Sequence, residues 1–360
     1  MARLGRTNLD VYKLGLGGIP LQKLSSAEAA AVIQASIEGG INFAETAEGY
    51  GDSEEKLSLA LKGRRDSFVI ATKSPKRSGV EMARAIDQSL ARLQTDYIDI
   101  YQVHYPTTEE SLRQVMAPGG ALEALKAARA SGKIRFIGIS GHRPNLLVKA
   151  LKTGEFDTVQ VPINAGHCEA RDELLPLAQA MDIGIIAMKP VAGGTLDTPS
   201  LGIRFCLDSA ADVVLVGMKS VAEVRENLET ARIFTPLDPD EQEQLLAEVS
   251  QWGDNFCRRC EYCQPCPHGV PIPKILWMSN FYKRDQGNDP WTVEEYASLK
   301  VTAAACEECG ECEAKCPYEL PIRDMLKEAD RELRVSSGEL AKRRIKKAVK
   351  KIIPLRRRPV

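Results

Sequence analysis

"INFAET" (41–46), "SFVIATK" (67–73) and "DYIDIYQVH" (96–104) are three short β-type runs, each ending on a polar or charged residue. Between the second and the third, Val80 to Leu93 places apolar residues at three- and four-residue spacing, the period of a helix with one buried face. Working outward, the alternation continues from residue 11 to about residue 235. "VYKLGLG" (11–17) comes before it, and "KIRFIGIS" (133–140), "DTVQVPI" (157–163), "IGIIAMK" (183–189) and "DVVLVGM" (212–218) come after. Helix-type stretches at Ser25 to Glu38, Ala121 to Ala130 and Arg171 to Met181 fill the intervals. Eight strands, each followed by a helical stretch, predict an α/β chain folded as a (β/α)8 TIM barrel. A doubly wound open sheet has the same alternation, usually with fewer repeats, so the count favours the barrel. "GLGGIP" (15–20) is no dinucleotide fingerprint: Pro20 takes the third glycine's place, and the helical stretch follows only after a break.

A chain of 360 residues, 44% hydrophobic and 27% charged, holds one large domain and a small one. The expected division is a barrel over 1–250, a cysteine-bearing domain over 251–335 and a basic tail over 336–360. Asp238 to Gln251 predicts a further helix with an Asp-Pro start, and Met325 to Leu333 a closing one. No run approaches the roughly 18 apolar residues of a bilayer span, and "MARLGRTNLDVYKLGLGG" lacks a secretory leader's apolar stretch. The expectation is a cytoplasmic protein, where dense cysteines bind metal more often than they form disulfides. Ten Lys and Arg lie between Lys342 and Arg358; the chain totals −1, which leaves −11 for residues 1–341. The tail reads as a solvated segment, or as one that docks on an acidic protein or an anionic membrane surface, where each cation contributes about 1 kcal/mol. Nucleic acid is not expected, since no aromatic is interleaved.

Eight of the ten cysteines fall within sixty residues. Cys306-x2-Cys309-x2-Cys312-x3-Cys316-Pro317 has the spacing by which bacterial ferredoxins hold [4Fe–4S] clusters. Cys257-x2-Cys260-x2-Cys263-x2-Cys266-Pro267 is the same device with one residue fewer before the last cysteine. Zinc and disulfides are the rival readings. Structural zinc takes two separated pairs with tetrahedral closure, and two triplets each followed by Cys-Pro exceed that need. On the ferredoxin crossing pattern, Cys257, Cys260, Cys263 and Cys316 hold one cluster, and Cys306, Cys309, Cys312 and Cys266 the other. Trp277, Phe281, Tyr282, Trp291 and Tyr296 lie between the runs and suit a dry shell. Cys168 and Cys206, in the barrel part, read as small buried side chains.

Four residues near the C-terminal ends of the early strands are candidates for chemistry, because barrel enzymes place it there. They are Glu45 and Tyr50 after the second strand, Lys73 at the end of the third and His104 at the end of the fourth. A phenol titrates near pH 10 and exchanges its proton at neutral pH only beside a cation. Lys73 supplies that cation, a carboxylate holds Lys73, and His104 orients a carbonyl.

"GINFAETAEGYGDSE" (40–54), "VIATK" (69–73), "DYIDIYQVHYP" (96–106), "FIGISGH" (136–142), "VQVPIN" (159–164), "IIAMKPVAGG" (185–194) and "VGMKSVAEVRENL" (216–228) together resemble the aldo-keto reductase superfamily over about residues 3–235. With the cysteine runs, the whole chain resembles those aldo-keto reductases that carry a C-terminal ferredoxin-like domain. The resemblance implies NADP(H)-linked carbonyl or alcohol hydride transfer, with Tyr50 as general acid, Lys73 as its cation and His104 orienting the substrate. Glu45 stands where the family has Asp, a departure that bears on turnover more than on cofactor binding. The resemblance also assigns Ser140 and Gln160 to the nicotinamide carboxamide. Gly217, Lys219, Ser220, Glu223 and Asn227 go to the adenosine end, and a cation beside a hydroxyl suits a 2′-phosphate. Gly141 replaces the usual Asn after Ser140, and Met188 sits where many relatives stack an aromatic on the nicotinamide.

Nicotinamide passes two electrons as a hydride and each cluster passes one, so a flavin normally mediates between them. No flavin fingerprint stands out, although barrels bind flavin mononucleotide without one. The clusters either feed the barrel through a flavin or a redox partner protein, or are structural or redox-sensing. The alternative is an electron-carrier or redox-sensing module on a catalytically altered barrel, for which Glu45 is the supporting feature. His142 and His167 read as rim positions.

Overall fold

The computed structural model describes residues 1–253, 255–284 and 290–335. The basic tail (336–360) and the side chain of Trp291 lie outside the described residues. The chain divides into two compact units, Met1–Val249 and Ser250–Val360.

The first unit is a closed eight-stranded barrel. Its strands are β1 (Leu14–Gly17), β2 (Phe43–Glu45), β3 (Val69–Ser74), β4 (Ile98–His104), β5 (Ile134–Ser140), β6 (Thr158–Pro162), β7 (Gly184–Met188) and β8 (Val213–Gly217). All neighbours pair in parallel, and β8 closes the ring by pairing with β1 at Val214–Leu14 through Gly217–Gly17. Helices pack outside, the first over Ser26–Glu38, where Ser25 and Glu28 form a reciprocal capping box.

Side chains alternate in and out along a strand, so each strand lends every second residue to the interior. The N-terminal end of the barrel is apolar: Phe43, Ala71, Ile100, Ile186, Val213 and Leu215 pack with Leu4, Leu9 and Val11 from the N-terminal segment. Two residues further along the same strands the character changes, to Glu45, Lys73, Gln102 and Met188. Gln160 from β6 and Ser140 from β5 continue this polar layer, and all but Met188 are buried. A dry apolar floor thus lies beneath a ring of polar groups at the C-terminal end, the end at which barrels carry chemistry. Gly138 makes room for the ring, since a Cβ there would stand 2.4 Å from Thr158 Oγ1 and 2.9 Å from Gln102 Cγ.

Among its described residues the second unit contains helices and no strand. They run over Ile272–Arg284, Pro290–Ala297, Glu311–Ala314 and Ile322–Leu333, besides a short 3-10 turn. Its core gathers Ile275, Leu276, Met278, Leu326, Ala329 and Leu333 around Cys263, Cys312 and Cys316. Tyr296 is buried, and its hydroxyl donates to Asp330 at 2.5 Å and accepts from the Ala303 amide at 3.1 Å. Burial and the Asp330 bond push this phenol up to about 12. Trp277 and Tyr282 pack against the same core, while Phe281 is exposed. Of the expected aromatic shell, therefore, Phe281 stands outside. Among the described residues, what this unit shares with the ferredoxin pattern is the cysteine spacing. Among the described residues no helix is long and apolar enough to cross a membrane.

Candidate active site and metal centre

Glu45 closes β2 and Lys73 lies near the end of β3, so neighbouring strands carry the carboxylate and the ammonium. Backbone contacts hold Glu45 in place. The Gly18 amide donates to the Glu45 carbonyl at 2.7 Å, and a Cβ on Gly18 would come within 2.5 Å of that oxygen. Lys73 is fully buried; its ammonium donates to Glu45 Oε1 and, at 2.8 Å, to the Thr46 carbonyl. Burial draws the Lys73 pKa down, and the carboxylates of Glu45 and Glu54 oppose that. The extra methylene of Glu relative to Asp therefore does not part the carboxylate from the lysine.

Tyr50 enters from the loop after β2. Lys73 Nζ stands 4.4 Å from the centre of its ring, and the His104 imidazole faces that ring edge-on at 6.2 Å. The four residues expected to carry chemistry are thus brought together. Arg77, not singled out from the sequence, donates to the carbonyls of His104 at 2.8 Å and Tyr105 at 3.0 Å. His142, expected at the rim, is coupled electrostatically to His104.

Burial keeps the pKa of His104 well below the usual imidazole value, and Lys73, His142 and Arg77 lower it further. His142 is lowered in the same way by burial and then by Lys189, His167 and Lys73. Both rings are neutral in the folded protein at pH 7. In the unfolded chain they take up protons as pH falls below about 6.5. Stability is therefore full above that pH and declines below it, by up to about 1.4 kcal/mol per pH unit for each ring. The urea midpoint is expected to fall between pH 7.5 and 5.5, and the slope to flatten in His142→Gln. A midpoint unchanged over that range would contradict neutral imidazoles.

The nucleotide candidates fall into two places. Ser140 and Gln160 lie in the buried polar layer. Ser140 Oγ donates weakly to the Val103 carbonyl, at 3.4 Å. Gln160 is engaged at both ends: its oxygen accepts from Gln102 Nε2 at 2.8 Å, and its nitrogen donates to Glu45 Oε1 at 2.9 Å and to Met188 Sδ at 3.4 Å. These contacts hold the Gln160 amide at the C-terminal end of β6, in the polar layer. Gly217 ends β8, where a Cβ would press on Pro20. Lys219 and Ser220 are exposed just before the helix Val221–Arg232, with Ser220 as its N-cap. Glu223 receives the Lys219 amide at 2.7 Å and gives its own amide to Ser220 Oγ at 3.2 Å. Asn227 lies one turn further along, half-buried. Outside the site, Cys206 is buried and donates to the Ile163 carbonyl at 2.8 Å, a packing role, and Cys168 is half-buried.

In the second unit the two cysteine runs share one backbone design. Arg259 and Glu308, each the residue before the second cysteine of its run, are left-handed, and so are Glu261 and Gly310 just after those cysteines. Past each Cys-Pro, Gly269 and Glu319 repeat the left-handed turn, and then Val270-Pro271-Ile272 and Leu320-Pro321-Ile322 start a helix. Non-glycine residues held in this conformation are costly and collect at ligand clamps. A hollow is lined by Cys306, Cys309, Cys312 and Cys266 together with Cys263 and Arg323. Burial pushes the Cys263 thiol up, and the charges of Cys257, Cys260, Cys312 and Cys316 push it further. Among the described residues no three His, Cys, Asp or Glu side chains converge as ligands of a single ion.

A closed parallel barrel with Tyr, Lys, a carboxylate and His at its C-terminal rim is the build of an enzyme that moves protons beside a bound reactant. The chain belongs to the Aldo/keto reductase family, whose model matches residues 13–202, and it is an oxidoreductase of that type. It is 29% identical over 297 residues to L-galactose dehydrogenase of Arabidopsis thaliana, covering 68% of this chain and 92% of that one. To 6-dehydroglucose reductase of Novosphingobium aromaticivorans it is 30% identical, covering 59% of this chain and 75% of the relative. Its match to the oxidoreductase YqkF of Bacillus subtilis, 32% identical, spans 54% of this chain and 65% of that relative's length. Among solved structures, an aldo-keto reductase of Klebsiella pneumoniae in complex with NADPH aligns at TM-score 0.57 and 25% identity, over 68% of this chain and 93% of that one. The holo form of a Bacillus halodurans aldo-keto reductase aligns at TM-score 0.60 and 27% identity, over 68% and 95%.

Proposed function

We propose that the barrel, residues 1–250, reduces small carbonyl compounds or oxidises the matching alcohols with NADP(H), and that residues 251–335 hold two [4Fe–4S] clusters. One observation carries the first half: Tyr50, Lys73, Glu45 and His104 meet at the C-terminal end of the barrel. When bound, NADPH supplies a hydride and the clusters pass single electrons. Tyr50 gives its proton to the carbonyl oxygen as the carbon is reduced. The Lys73 ammonium against the phenol ring stabilises the charge that develops as that proton leaves. Neutral His104 is an uncharged donor that holds the carbonyl oxygen, and Glu45 keeps Lys73 in place.

The residues present fit the cofactor's charge. Lys219 and Ser220, exposed before a twelve-residue helix, offer a cation, a hydroxyl and a helix N-terminus to a phosphate. The fit of the cysteines to clusters rests on the repeated left-handed turns and on the grouping around the hollow. The hollow brings Cys266 to Cys306, Cys309 and Cys312, with Cys263 beside them, and on the crossed pattern these first four hold one cluster while Cys257, Cys260, Cys263 and Cys316 hold the other.

The electron-carrier alternative drew its support from Glu45, and the Glu45–Lys73 contact weakens that ground. The test is anaerobic purification with iron, sulfide, flavin and nicotinamide measured per chain, followed by NADPH oxidation with small aldehydes. About eight irons and eight sulfides are expected, and Cys316→Ser should remove roughly half of the dithionite-bleachable absorbance. Zinc in place of iron discards the clusters, and NADPH left unconsumed with every aldehyde discards the reductase.

A further inference from the structure

We infer that the two clusters are unequal: Arg258 and Arg259 make the one beside them the more easily reduced, so a single electron shared between the clusters settles there. This deepens the cluster reading above and rests on it. The two cysteine runs follow one backbone pattern, in which Arg259 and Glu308 take the same left-handed place before the second cysteine, at φ 52° and 56°. The residues between the first two cysteines are nonetheless opposite in charge, Arg258-Arg259 in the first run and Glu307-Glu308 in the second. From its first cysteine to its last, the first run holds two cations and one acid, and the second holds four acids and one cation. Reduction adds one negative charge to a cluster, which a neighbouring cation favours and a neighbouring carboxylate opposes.

Ring contacts keep the arginines in place. Arg258 Cζ lies 4.4 Å from the centre of the Tyr318 ring, just past Cys316-Pro317, and Arg259 Cζ lies 5.2 Å from that of Trp277. An aromatic face holds a cation without neutralising it. The Tyr318 contact also brings the loop after Cys316 to the first run, as the crossed set of Cys257, Cys260, Cys263 and Cys316 requires. Both arginines are half-buried, so water and salt screen them less than an exposed charge. The acids of the second run are weaker agents. Glu307, 74% exposed at its side chain, faces His268 at 3.5 Å, and Glu308 pairs with Lys327 at 2.7 Å. Water at Cys309, the exposed cysteine among the eight, also solvates an added electron and offsets part of what those acids do. Arg323 lines the hollow, but Glu313 takes its Nε at 2.9 Å and its Nη2 at 2.7 Å. Arg258 and Arg259 therefore carry most of the difference.

The experiment separates the inference from the cluster reading. Full-length holoprotein, purified anaerobically and with its iron counted, is titrated with dithionite in the presence of redox mediators and followed by electron paramagnetic resonance. Wild type should reduce in two steps whose equilibrium constants differ about tenfold or more, which is about 59 mV for one electron. Arg258→Gln with Arg259→Gln should lower the constant of the easier step about tenfold and leave the harder one within about twofold. Glu307→Gln with Glu308→Gln should ease the harder step about threefold and leave the other in place. Arg258→Lys with Arg259→Lys keeps the charges and should hold the easier step within about threefold, which separates charge from packing. The single Arg→Gln variants serve if the double one loses a cluster. Coincident steps in wild type with about eight irons present, or Arg variants that move both steps alike, overturn the inference. Material without iron sinks the cluster reading itself, and the inference falls with it.

Discussion

Tyr50→Phe is expected to lower kcat for carbonyl reduction by about 10²–10⁴-fold, the usual contribution of a positioned proton donor. The Phe ring keeps the packing against Lys73, whose Nζ lies 4.4 Å from the ring centre, and the edge-on contact with His104. Only the hydroxyl is lost. NADPH affinity should therefore stay within about twofold, because the lost interaction belongs to the transition state. Steady-state kinetics with a small aldehyde, paired with fluorescence titration of NADPH, measures both. Unchanged kcat in this variant would remove Tyr50 from the chemistry and leave the site without its acid.

Lys73→Met should cost more in stability than any other single change in the site. Lys73 is fully buried, and its ammonium faces Glu45, also buried. Removing one partner of such a pair leaves an uncompensated charge in the interior, a loss of about 3–5 kcal/mol. Turnover is lost with it. The cause can be isolated with Lys73→Met combined with Glu45→Gln: the second substitution removes the stranded carboxylate's charge and should recover a large part of the lost stability. Urea denaturation of the four proteins reads the cycle. If the single Lys73→Met variant unfolds within about 1 kcal/mol of wild type, the pair is not the buried ion pair described above.

Much of the barrel was legible because its signal is local. Strand residues alternate between the interior and the helices, and the runs end where the polar layer begins, so Glu45, Lys73 and His104 stand out in the sequence as strand-end residues. Boundaries moved where side chains compete for the backbone. The run at 41–46 narrows to Phe43–Glu45 because the Asn42 side chain takes the Tyr12 amide and gives to the Asp10 carbonyl, both at 2.8 Å. The helix expected over Arg171 to Met181 begins at Leu174, after a separate 3-10 turn at Glu169–Arg171.

What escaped the sequence is set by distance across the fold or by unusual backbone. No local pattern says that Gln160 on β6 meets Glu45 on β2, or that Gln102 on β4 joins them. The inward positions of β4, Ile100 then Gln102 then His104, did carry a usable signal: a polar residue one step below a candidate histidine. In the second unit, Arg259, Glu261, Glu308 and Glu319 are left-handed without being glycine, which composition does not announce. The duplicated Cys-Pro-x-x-(Val/Leu)-Pro-Ile at 266–272 and 316–322 was readable, and it marks where both helices start.

The most direct test of the account follows the hydride itself. NADPH deuterated at the reactive ring carbon is incubated anaerobically with an aldehyde and the full-length holoprotein, and the alcohol is analysed by mass spectrometry. Direct transfer within the barrel predicts deuterium on the carbinol carbon, with Tyr50→Phe slowing its appearance. Alcohol formed without deuterium, the label having passed to solvent, would contradict a hydride delivered directly beside Tyr50.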